Sequence, residues 1–177
     1  MKIYTGRGDE GQTDLRDMSR VSKSNPRIET YGTVDEANAL IGVVHPAGYD
    51  DIDAHLQEIQ NHLHIVQADF ADPDNESDAP RLSDEEIDRL EEWMDGYDEE
   101  LDPLQTFILP GGSEPGAKLH HARAVVRRAE RRAVALAGNE PVNETAITYL
   151  NRLSDTLFVL ARVVNKREGA REEPPSY

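Results

Sequence analysis

The sequence predicts an all-α fold, an antiparallel bundle of five helices behind an irregular N-terminal arm. Apolar residues recur in steps of three and four along five stretches of the chain. The stretches are joined by short connections, and the alternation typical of strands is almost absent. At 177 residues the chain is long enough for one domain with a substantial core. We expect three parts in it, the arm (1–25), the helical bundle (26–168) and a flexible tail (169–177).

The first helix has two candidate starts. Ser24-Asn25-Pro26 combines a capping side chain with a proline in the first turn. Thr33 and Glu36 have the spacing of a capping box, which also starts helices. From either start, the helix is predicted to end near His45, because Pro46 follows.

The second and third helices are predicted from their apolar seams and capping residues. The seam of the second helix follows steps of four and three: Ile52, Leu56, Ile59, Leu63, Val66 and Phe70. Residues 72–80 are acidic and contain proline, which predicts a loop. Ser83 and Glu86 then form a capping box, so a third helix is predicted from there to about Leu101.

Two longer helices complete the predicted bundle. The Pro-Gly-Gly sequence at 110–112 breaks regular structure, and a fourth helix is predicted over about 114–137 with Gly138 ending it. The fifth is predicted over 144–167 and ends near Gly169. Its apolar stripe consists of Ile147, Leu150, Leu153, Leu157, Leu160 and Val164.

Composition narrows the class of function. The chain has 35 acidic and 19 basic side chains, a formal net charge of −16, and no cysteine. This charge argues against a general nucleic-acid binder, which needs a basic surface for phosphates. The lack of cysteine removes disulfides, thiolate metal sites and cysteine nucleophiles. No apolar run of membrane-spanning length and no leader-like segment is present, so we expect a soluble cytoplasmic protein.

Acidic side chains are concentrated in residues 48–102, which hold 20 Asp or Glu against Arg81 and Arg89. The whole chain has 15 arginines but only 4 lysines. An acid-rich, lysine-poor surface stays hydrated in concentrated salt. The acidic stretch is therefore predicted to be a solvated outer face in a high-salt cytoplasm. A partner surface, or an ordinary acidic protein, is the alternative.

Gly6, Gly8 and Gly11 form a G-x-G-x-x-G motif, a spacing that often indicates a backbone cradle for phosphate. A dinucleotide-binding fold would need a strand before these glycines and a helix opening at them. A protein kinase would need a lysine strand and a catalytic loop downstream. Neither context is present, so the motif is interpreted as a polar loop.

Polar stripes on three predicted helices are candidates for a site. Arg123, Arg127 and Glu130 share one face of the fourth helix; Asn151, Asp155, Phe158 and Arg162 share one face of the fifth; Asp35 and Asn38 lie in line on the first. Such stripes are either solvated faces or the walls of a polar site between helices or subunits. No histidine pair has metal-ligand spacing, so His62, His64, His120 and His121 are assigned to helix surfaces.

Five segments of the chain carry a family resemblance. They are KIYTGRGDEGQT (residues 2–13), YGTVDEAN (31–38), FILPGG (107–112), RRAER (127–131) and YLNRLSD (149–155). Together and in this order they resemble the PduO-type ATP:cob(I)alamin adenosyltransferases. The resemblance covers nearly the whole chain, and the five motifs are specific as a set although none is decisive alone.

The resemblance implies a ferritin-like five-helix bundle that assembles as a homotrimer with active sites between subunits. It also implies transfer of the 5′-deoxyadenosyl group of ATP to cob(I)alamin, with release of triphosphate. Cobalamin is then a substrate, Mg²⁺ accompanies ATP, and a reductase supplies cob(I)alamin. Because cob(I)alamin is itself the nucleophile, no activated serine or cysteine is required.

The resemblance further implies roles for individual residues. It assigns ATP binding to the arm, one lysine and two helices: Thr5, Gly6, Arg7, Gly8, Asp9, Gly11, Gln12, Thr13, Lys23, Arg127, Glu130 and Asn151. Asp35 and Arg123 match the family's intersubunit ion pair beside the corrinoid. Phe107 matches the aromatic residue that covers the lower corrin face and excludes the axial ligand. Glu10 is acidic where the family usually has a basic residue, which weakens a phosphate role for this side chain.

Two other functions compete with adenosyl transfer. A non-catalytic ATP- or corrinoid-binding bundle, acting as a sensor or cofactor chaperone, would share the fold, but the presence of Asp35, Arg123, Phe107 and Asn151 argues against it. A small-molecule kinase would need a general base or a P-loop lysine, and the sequence has no such motif.

Overall fold

The computed structural model describes residues 2–74 and 80–177, and over these residues the chain forms five helices and a short hairpin. The strands are β1 (Gln12–Asp14) and β2 (Arg20–Ser22). The helices are α1 (Pro26–Val44), α2 (Asp50–Phe70), α3 (Asp84–Asp98), α4 (Glu114–Ala137) and α5 (Glu144–Arg167). The predicted helical bundle is confirmed, with α4 and α5 at their predicted bounds. Residues 75–79 of the predicted acidic loop lie outside the described residues.

Capping side chains start the helices where the sequence placed them. Asn25 caps α1 by accepting a hydrogen bond from the backbone N of Arg27 at 2.8 Å, so the earlier of the two predicted starts is correct. Ser83 caps α3 in a capping box with Glu86. Each cap satisfies amide groups that have no partner within the helix.

Contacts between helices show that α1 and α4 run antiparallel. Glu36 of α1 pairs with Arg128 of α4 at 2.5 Å, and Glu29 pairs with Arg132 at 2.9 Å. Positions therefore rise along α1 as they fall along α4. Contacts of α2 with α3 and α5, and of α4 with α5, follow the same rule.

The up-and-down order gives the bundle two distinct ends. The arm end holds the starts of α1, α3 and α5 with the ends of α2 and α4. The loop end holds the other termini, including the connection 99–113 between α3 and α4. Apart from Asp35, which faces a groove between α1 and α2, the candidate site residues lie at one of these ends or on the α4/α5 face between them.

The core is aliphatic and lies along the predicted seams. All six seam residues of α2 are fully buried: Ile52, Leu56, Ile59, Leu63, Val66 and Phe70. The α5 stripe is equally buried from Leu150 onward, whereas Ile147 is only partly covered. Burying each such side chain contributes about 1.5–3 kcal/mol. None of the described helices is both long and apolar enough to cross a membrane.

Buried polar side chains join the elements at the arm end. Arg27 is almost fully buried and donates to the carbonyls of Phe70 (2.9 Å), Asp72 (3.1 Å) and Pro141 (2.9 Å), and its Nε donates to Glu140 at 2.9 Å. One guanidinium thus holds the start of α1 to the end of α2 and to the α4–α5 turn.

The surface assignment of the histidines is wrong for two of the four. His62 is buried and its Nδ1 lies 3.1 Å from the hydroxyl of Tyr149, and His120 is buried beside α5. Burial lowers the pKa of both imidazoles. His64 and His121 are exposed, as predicted. Helical period placed all four on faces, but it could not show that the neighbouring helices cover two of them.

The arm is less irregular than the sequence predicted. β1 and β2 pair antiparallel, with Thr13 opposite Val21. Leu15 is buried, and the backbone N of Arg16 donates to the carbonyl of Ala71 at 3.1 Å, which docks the hairpin on the end of α2. Three-residue strands are too short to show a two-residue alternation.

Candidate functional site

Two glycines shape the N-terminal loop. Gly6 and Gly11 have φ values of 72° and 77°, a backbone region that favours glycine. The backbone N of Asp9 donates to the Gly6 carbonyl at 3.2 Å, and the N of Gly11 donates to the Gly8 carbonyl at 3.2 Å. The G-x-G-x-x-G spacing therefore produces two consecutive tight turns, outside any strand–helix unit.

The arm encloses a polar pocket of about 280 Å³, lined by Thr5, Arg7, Gly8, Gln12, Thr13, Asp14 and Arg20. Arg7 and Arg20 both pair with the Asp14 carboxylate, at 3.0 and 3.3 Å, and Arg20 Nε donates to Gln12 at 3.0 Å. Two arginines on one carboxylate leave excess positive charge, which suits a polyanion such as triphosphate. The hairpin register places Asp14 opposite Arg20, and sequence reasoning named neither residue.

Lys23 lies against the same loop. A methyl group added to Gly8 would lie 3.1 Å from Lys23 Nζ, so this ammonium group sits over the Gly8 backbone. The backbone N of Lys23 also donates to the Gly11 carbonyl at 2.9 Å. The structure thus brings the predicted arm residues and Lys23 together.

The predicted polar stripes of α4 and α5 meet. Asn151 Nδ2 donates to Glu130 Oε1 at 2.9 Å. About two turns along, the Arg123 guanidinium lies over the Phe158 ring at 5.3 Å from its centroid. Arg127 lies between them on α4 and is exposed. Of the four α5 residues predicted on this face, Arg162 lies elsewhere: its side chain is buried against the C-terminal tail.

On the α4/α5 face, partial burial and neighbouring cations disfavour the protonated, charged forms of Arg123 and His120. Burial, and then the charge of Arg127, lower the pKa of Arg123, while Asp155 opposes them. Its Nε has no hydrogen-bond partner among the described residues. Burial and Arg123 likewise lower the pKa of His120, while Glu172 opposes them. The Nε of Arg123 is therefore both buried and unpartnered within the described residues, which raises the free energy of the charged guanidinium.

Asp35 faces a different groove. This groove, of about 510 Å³, lies between α1 and α2 and is lined by Asp35, Asn38, Ala39, Gln57, Gln60, Asn61 and His64. Asn38 Nδ2 donates to the Gln60 carbonyl across it at 3.2 Å. Among the described residues of one chain, Asp35 forms no ion pair with Arg123. This arrangement leaves the Asp35 carboxylate exposed on the outside of the bundle.

Phe107 lies at the loop end, in the connection 99–113. Its side chain is 82% exposed, and Leu104 and Leu109 nearby are also exposed. Exposed aromatic and aliphatic side chains grouped on one loop mark a surface for an apolar ligand or partner.

The candidate site is divided between the two ends of the bundle. No hydrogen bond or ion pair among the described residues links the arm to Arg127, Glu130 or Asn151. Asn151 and the α5 residues that contact the Phe107 connection are eleven or more positions apart, about 16 Å along the helix axis. In one chain, the arm pocket and the Phe107 loop are therefore separate surfaces and do not form one closed pocket. In the described part of the chain, no group of three or more His, Asp or Glu is arranged to hold a metal ion.

A sequence profile of the cobalamin adenosyltransferase family matches residues 3–164. This chain belongs to the cobalamin adenosyltransferase family. Among curated family members, the corrinoid adenosyltransferase of Bacillus subtilis is 45% identical over 174 residues, covering 96% of this chain and 89% of the relative. The Mycobacterium tuberculosis corrinoid adenosyltransferase is 48% identical over 171 residues, covering 93% and 89%.

The fold agrees with that of a solved family member. A variant of the PduO-type ATP:corrinoid adenosyltransferase from Lactobacillus reuteri, complexed with cobalamin and ATP, superposes with a TM-score of 0.94 at 34% identity. The match covers 99% of this chain and all of that one. The hairpin, the five helices and the loop-end connection are thus the architecture of a cobalamin adenosyltransferase.

Sequence reasoning missed several side chains that shape the candidate site. Arg20 and Asp14 line the arm pocket, Phe158 carries Arg123, and Asn165 anchors the start of α4. Phe158 was on the predicted face but had no assigned role. Asp14, Arg20 and Asn165 belong to no recognisable motif. Asn165 contacts Ser113, which is distant in sequence, and Asp14 and Arg20 come together only when the hairpin forms.

Proposed function

We propose that this chain transfers the 5′-deoxyadenosyl group of ATP to cob(I)alamin, forming adenosylcobalamin and releasing triphosphate. One observation carries the proposal: a polar, arginine-lined pocket formed by the glycine-rich arm, in a chain 45–48% identical to corrinoid adenosyltransferases. The polar α4/α5 face and the exposed apolar Phe107 support it, because the reaction joins a polyanionic nucleotide to a large, mainly apolar ring.

The reaction needs little covalent chemistry from the protein. The electron pair of cobalt(I) attacks the ribose 5′-carbon of ATP, the carbon–oxygen bond to the triphosphate breaks, and a cobalt(III)–carbon bond forms. The displaced electron pair leaves with the triphosphate. The protein's tasks are to align cobalt with that carbon and to stabilise the charge on the leaving group.

We assign the ATP half of the reaction to the arm. Thr5, Gly6, Arg7, Gly8, Asp9, Gly11, Gln12, Thr13 and Lys23 would surround the triphosphate and adenosine. In this role Arg7 and Arg20 would share their hydrogen bonds between Asp14 and the phosphate oxygens, since both are charge-assisted acceptors. Arg127, Glu130 and Asn151 would complete the nucleotide site, with the Glu130–Asn151 hydrogen bond holding both side chains in place.

We assign the corrinoid half to Phe107, Asp35 and Arg123. An aromatic ring against the lower corrin face would exclude water and the axial ligand, which favours the ligand-free cobalt that cob(I) requires. The exposure of Phe107 in the isolated chain supports such a contact. Asp35 and Arg123 would pair across a subunit boundary, since each lacks the other within one chain.

We further propose a homotrimer with active sites shared between subunits. Within one chain the arm and Phe107 lie at opposite ends of the bundle, so a second chain would bring complementary half-sites together. Magnesium would arrive bound to the ATP phosphates. A reductase would supply cob(I)alamin, and the acidic surface fits a cytoplasm of high salt content.

An anaerobic assay with ATP and chemically reduced cobalamin tests this function. The cob(I)alamin spectrum should convert to that of adenosylcobalamin, with one triphosphate released for each turnover. Arg127→Ala should slow the reaction, while Arg89→Ala, an exposed arginine of α3 that pairs with Glu58, should match wild type. Release of ADP would indicate a kinase, and binding without any product would indicate a sensor or chaperone.

A further inference from the structure

We infer that Arg162, Asn165 and Glu172 form a clasp that holds the Phe107 loop (residues 99–113) in its working position. Arg162 and Glu172 are then positioning residues for the corrinoid half of the reaction. This inference rests on the function proposed above and adds residues to it, including part of the C-terminal tail.

The clasp holds the Phe107 loop at two points. Arg162 Nη2 donates to the carbonyl of Asp102 at 2.8 Å, near the start of the loop. Asn165 Oδ1 accepts from the backbone N and the hydroxyl of Ser113, both at 2.9 Å, and its Nδ2 donates to the Gly111 carbonyl at 2.9 Å, near the end. Phe107 lies midway between the two anchored segments.

The two anchoring side chains come from one face of α5. Arg162 and Asn165 are three positions apart, so they project together from a single turn of the helix. They are 5% and 2% exposed. A rigid core helix therefore sets the position of a loop that has no regular structure of its own.

The C-terminal tail closes the clasp. Glu172 accepts hydrogen bonds from Arg162 Nε at 2.7 Å and from Nη2 at 3.2 Å. The backbone N of Leu109 donates to the carbonyl of Glu173 at 2.8 Å, and the N of Ala170 donates to the Asn165 carbonyl at 2.8 Å. These bonds lay the tail alongside the loop, contacts that the sequence did not predict.

The contribution of the Arg162–Glu172 ion pair to the stability of the fold does not by itself explain why these residues are present. Burying a guanidinium costs desolvation energy, and apolar side chains of similar volume are often as stabilising as a buried ion pair. Unlike an apolar contact, the two hydrogen bonds from the Arg162 guanidinium to the Glu172 carboxylate fix the relative orientation of the two side chains. A buried arginine paired with the partly exposed Glu172 at the base of an exposed aromatic loop is therefore best explained by the position that it gives the loop.

The clasp also borders the α4/α5 face. The Glu172 carboxylate is near enough to His120 to oppose the lowering of its pKa. His120 in turn lies at the edge of the Phe158 ring, at 5.9 Å between centroids, and Arg123 stacks on that ring. The clasp is thus continuous with the residues assigned to the corrinoid, and distant from the arm.

The test uses two conservative variants with matched controls. Arg162→Lys keeps the charge but loses the forked geometry, and Glu172→Gln keeps the shape but loses the charge. Arg89→Lys and Glu58→Gln make the same changes in an Arg–Glu pair between α2 and α3. Each full-length variant is assayed for kcat and KM with cob(I)alamin and with ATP, and for its thermal midpoint.

A second readout follows the cobalt ligand directly. The electron paramagnetic resonance spectrum of cob(II)alamin with saturating ATP shows whether a nitrogen ligand remains on the lower face. Wild type should lower the nitrogen-ligated fraction, and the clasp variants should retain it. A purely structural role for the ion pair would leave this fraction unchanged in folded protein.

We expect both clasp variants to lose at least about tenfold in kcat/KM for cob(I)alamin, equivalent to about 1.4 kcal/mol, with the KM for ATP within about twofold. The controls should match wild type. Unchanged corrinoid kinetics in both variants, or parallel losses for corrinoid and ATP, would overturn the inference. If Arg162→Lys does not fold, Glu172→Gln in the partly exposed tail decides. Absence of turnover in wild type would instead refute the proposed function.

Discussion

Replacing Gly116 with alanine should destabilise the protein, although alanine is the better helix former. Gly116 lies in the first turn of α4, against the buried side chain of Asn165. A Cβ added there would overlap Asn165 Oδ1 and lie 2.7 Å from its Cγ. The neighbouring helix leaves no space at this position, so Asn165 would have to move.

The magnitude follows from the hydrogen bonds that Asn165 would lose. Its side chain makes three, two with Ser113 and one with the Gly111 carbonyl. At about 1 kcal/mol each, their loss costs about 3 kcal/mol. The higher helix propensity of alanine returns about 1 kcal/mol. The expected net loss is about 2 kcal/mol, or about 4–8 °C in the thermal midpoint for a chain of this length.

Thermal and urea unfolding, followed by circular dichroism at one protein concentration, measure this effect. Gly96→Ala is the matched control, because Gly96 lies in α3 and a Cβ there would meet no atom within 4 Å. That variant should gain about 1 kcal/mol, or about 2–4 °C. Equal stability of Gly116→Ala and Gly96→Ala would contradict the close contact between Asn165 of α5 and Gly116 at the start of α4.

Three further predictions follow from the site and the surface. Phe107→Ala should lower turnover far more than ATP affinity and leave the unfolding free energy within about 0.5 kcal/mol, because the side chain is 82% exposed; equal losses of turnover and ATP affinity would contradict its corrinoid role. Hydrogen bonds from Arg167 lower the pKa of Asp51 from its usual 3.8 to about 2, so this pair stabilises the fold above about pH 4 and ceases to do so as the pH falls through about 2. Since the carboxylate is 46% exposed, the stabilisation is below about 1 kcal/mol, and urea unfolding of wild type and Asp51→Asn should differ at neutral pH and converge in acid. Circular dichroism at about 0.1 M and about 2 M salt should show a less stable fold at low salt, where charge repulsion is screened less; equal stability at both would remove the high-salt interpretation of the acidic surface.

The division of the site between two bundle ends bears on how the enzyme works. The arm gathers cationic side chains around a pocket, and the Phe107 loop gathers exposed apolar ones, each at its own end. In the proposed function, the nucleotide and the corrin ring would therefore bind to separate surfaces of one chain. The proposed trimer would bring these surfaces together, so the proposed activity depends on it.

Helices were predictable because their signals are local. The α2 seam from Ile52 to Phe70 and the caps Asn25 and Ser83 depend on residues within a few positions of each other. The resemblance motifs are local in the same sense and indicated the family. The assigned roles of the site residues, and the division into one domain with a flexible tail, stay predictions.

Partners distant in sequence were not predictable. Helical period placed His120 and Arg162 on helix faces, but only packing shows that α5 covers the first and that the tail, with Asp102, covers the second. Asn38 was expected in line with Asp35, and it proved to bind α2 across a groove. A periodic pattern states which side of a helix is apolar, and it carries no information on which element lies opposite.

By itself, the sequence determined the five helices and the net negative charge of the chain, because these depend on neighbouring residues or on composition. Tertiary structure decided where those elements meet. Arg27 and Glu140 are hydrogen-bonded although they are 113 positions apart in the sequence. Asn165 and Ser113 are hydrogen-bonded across 52 positions. A buried polar group must be satisfied wherever the folded chain supplies a partner, so these pairings, and the loop position that they set, exist only once the bundle has packed.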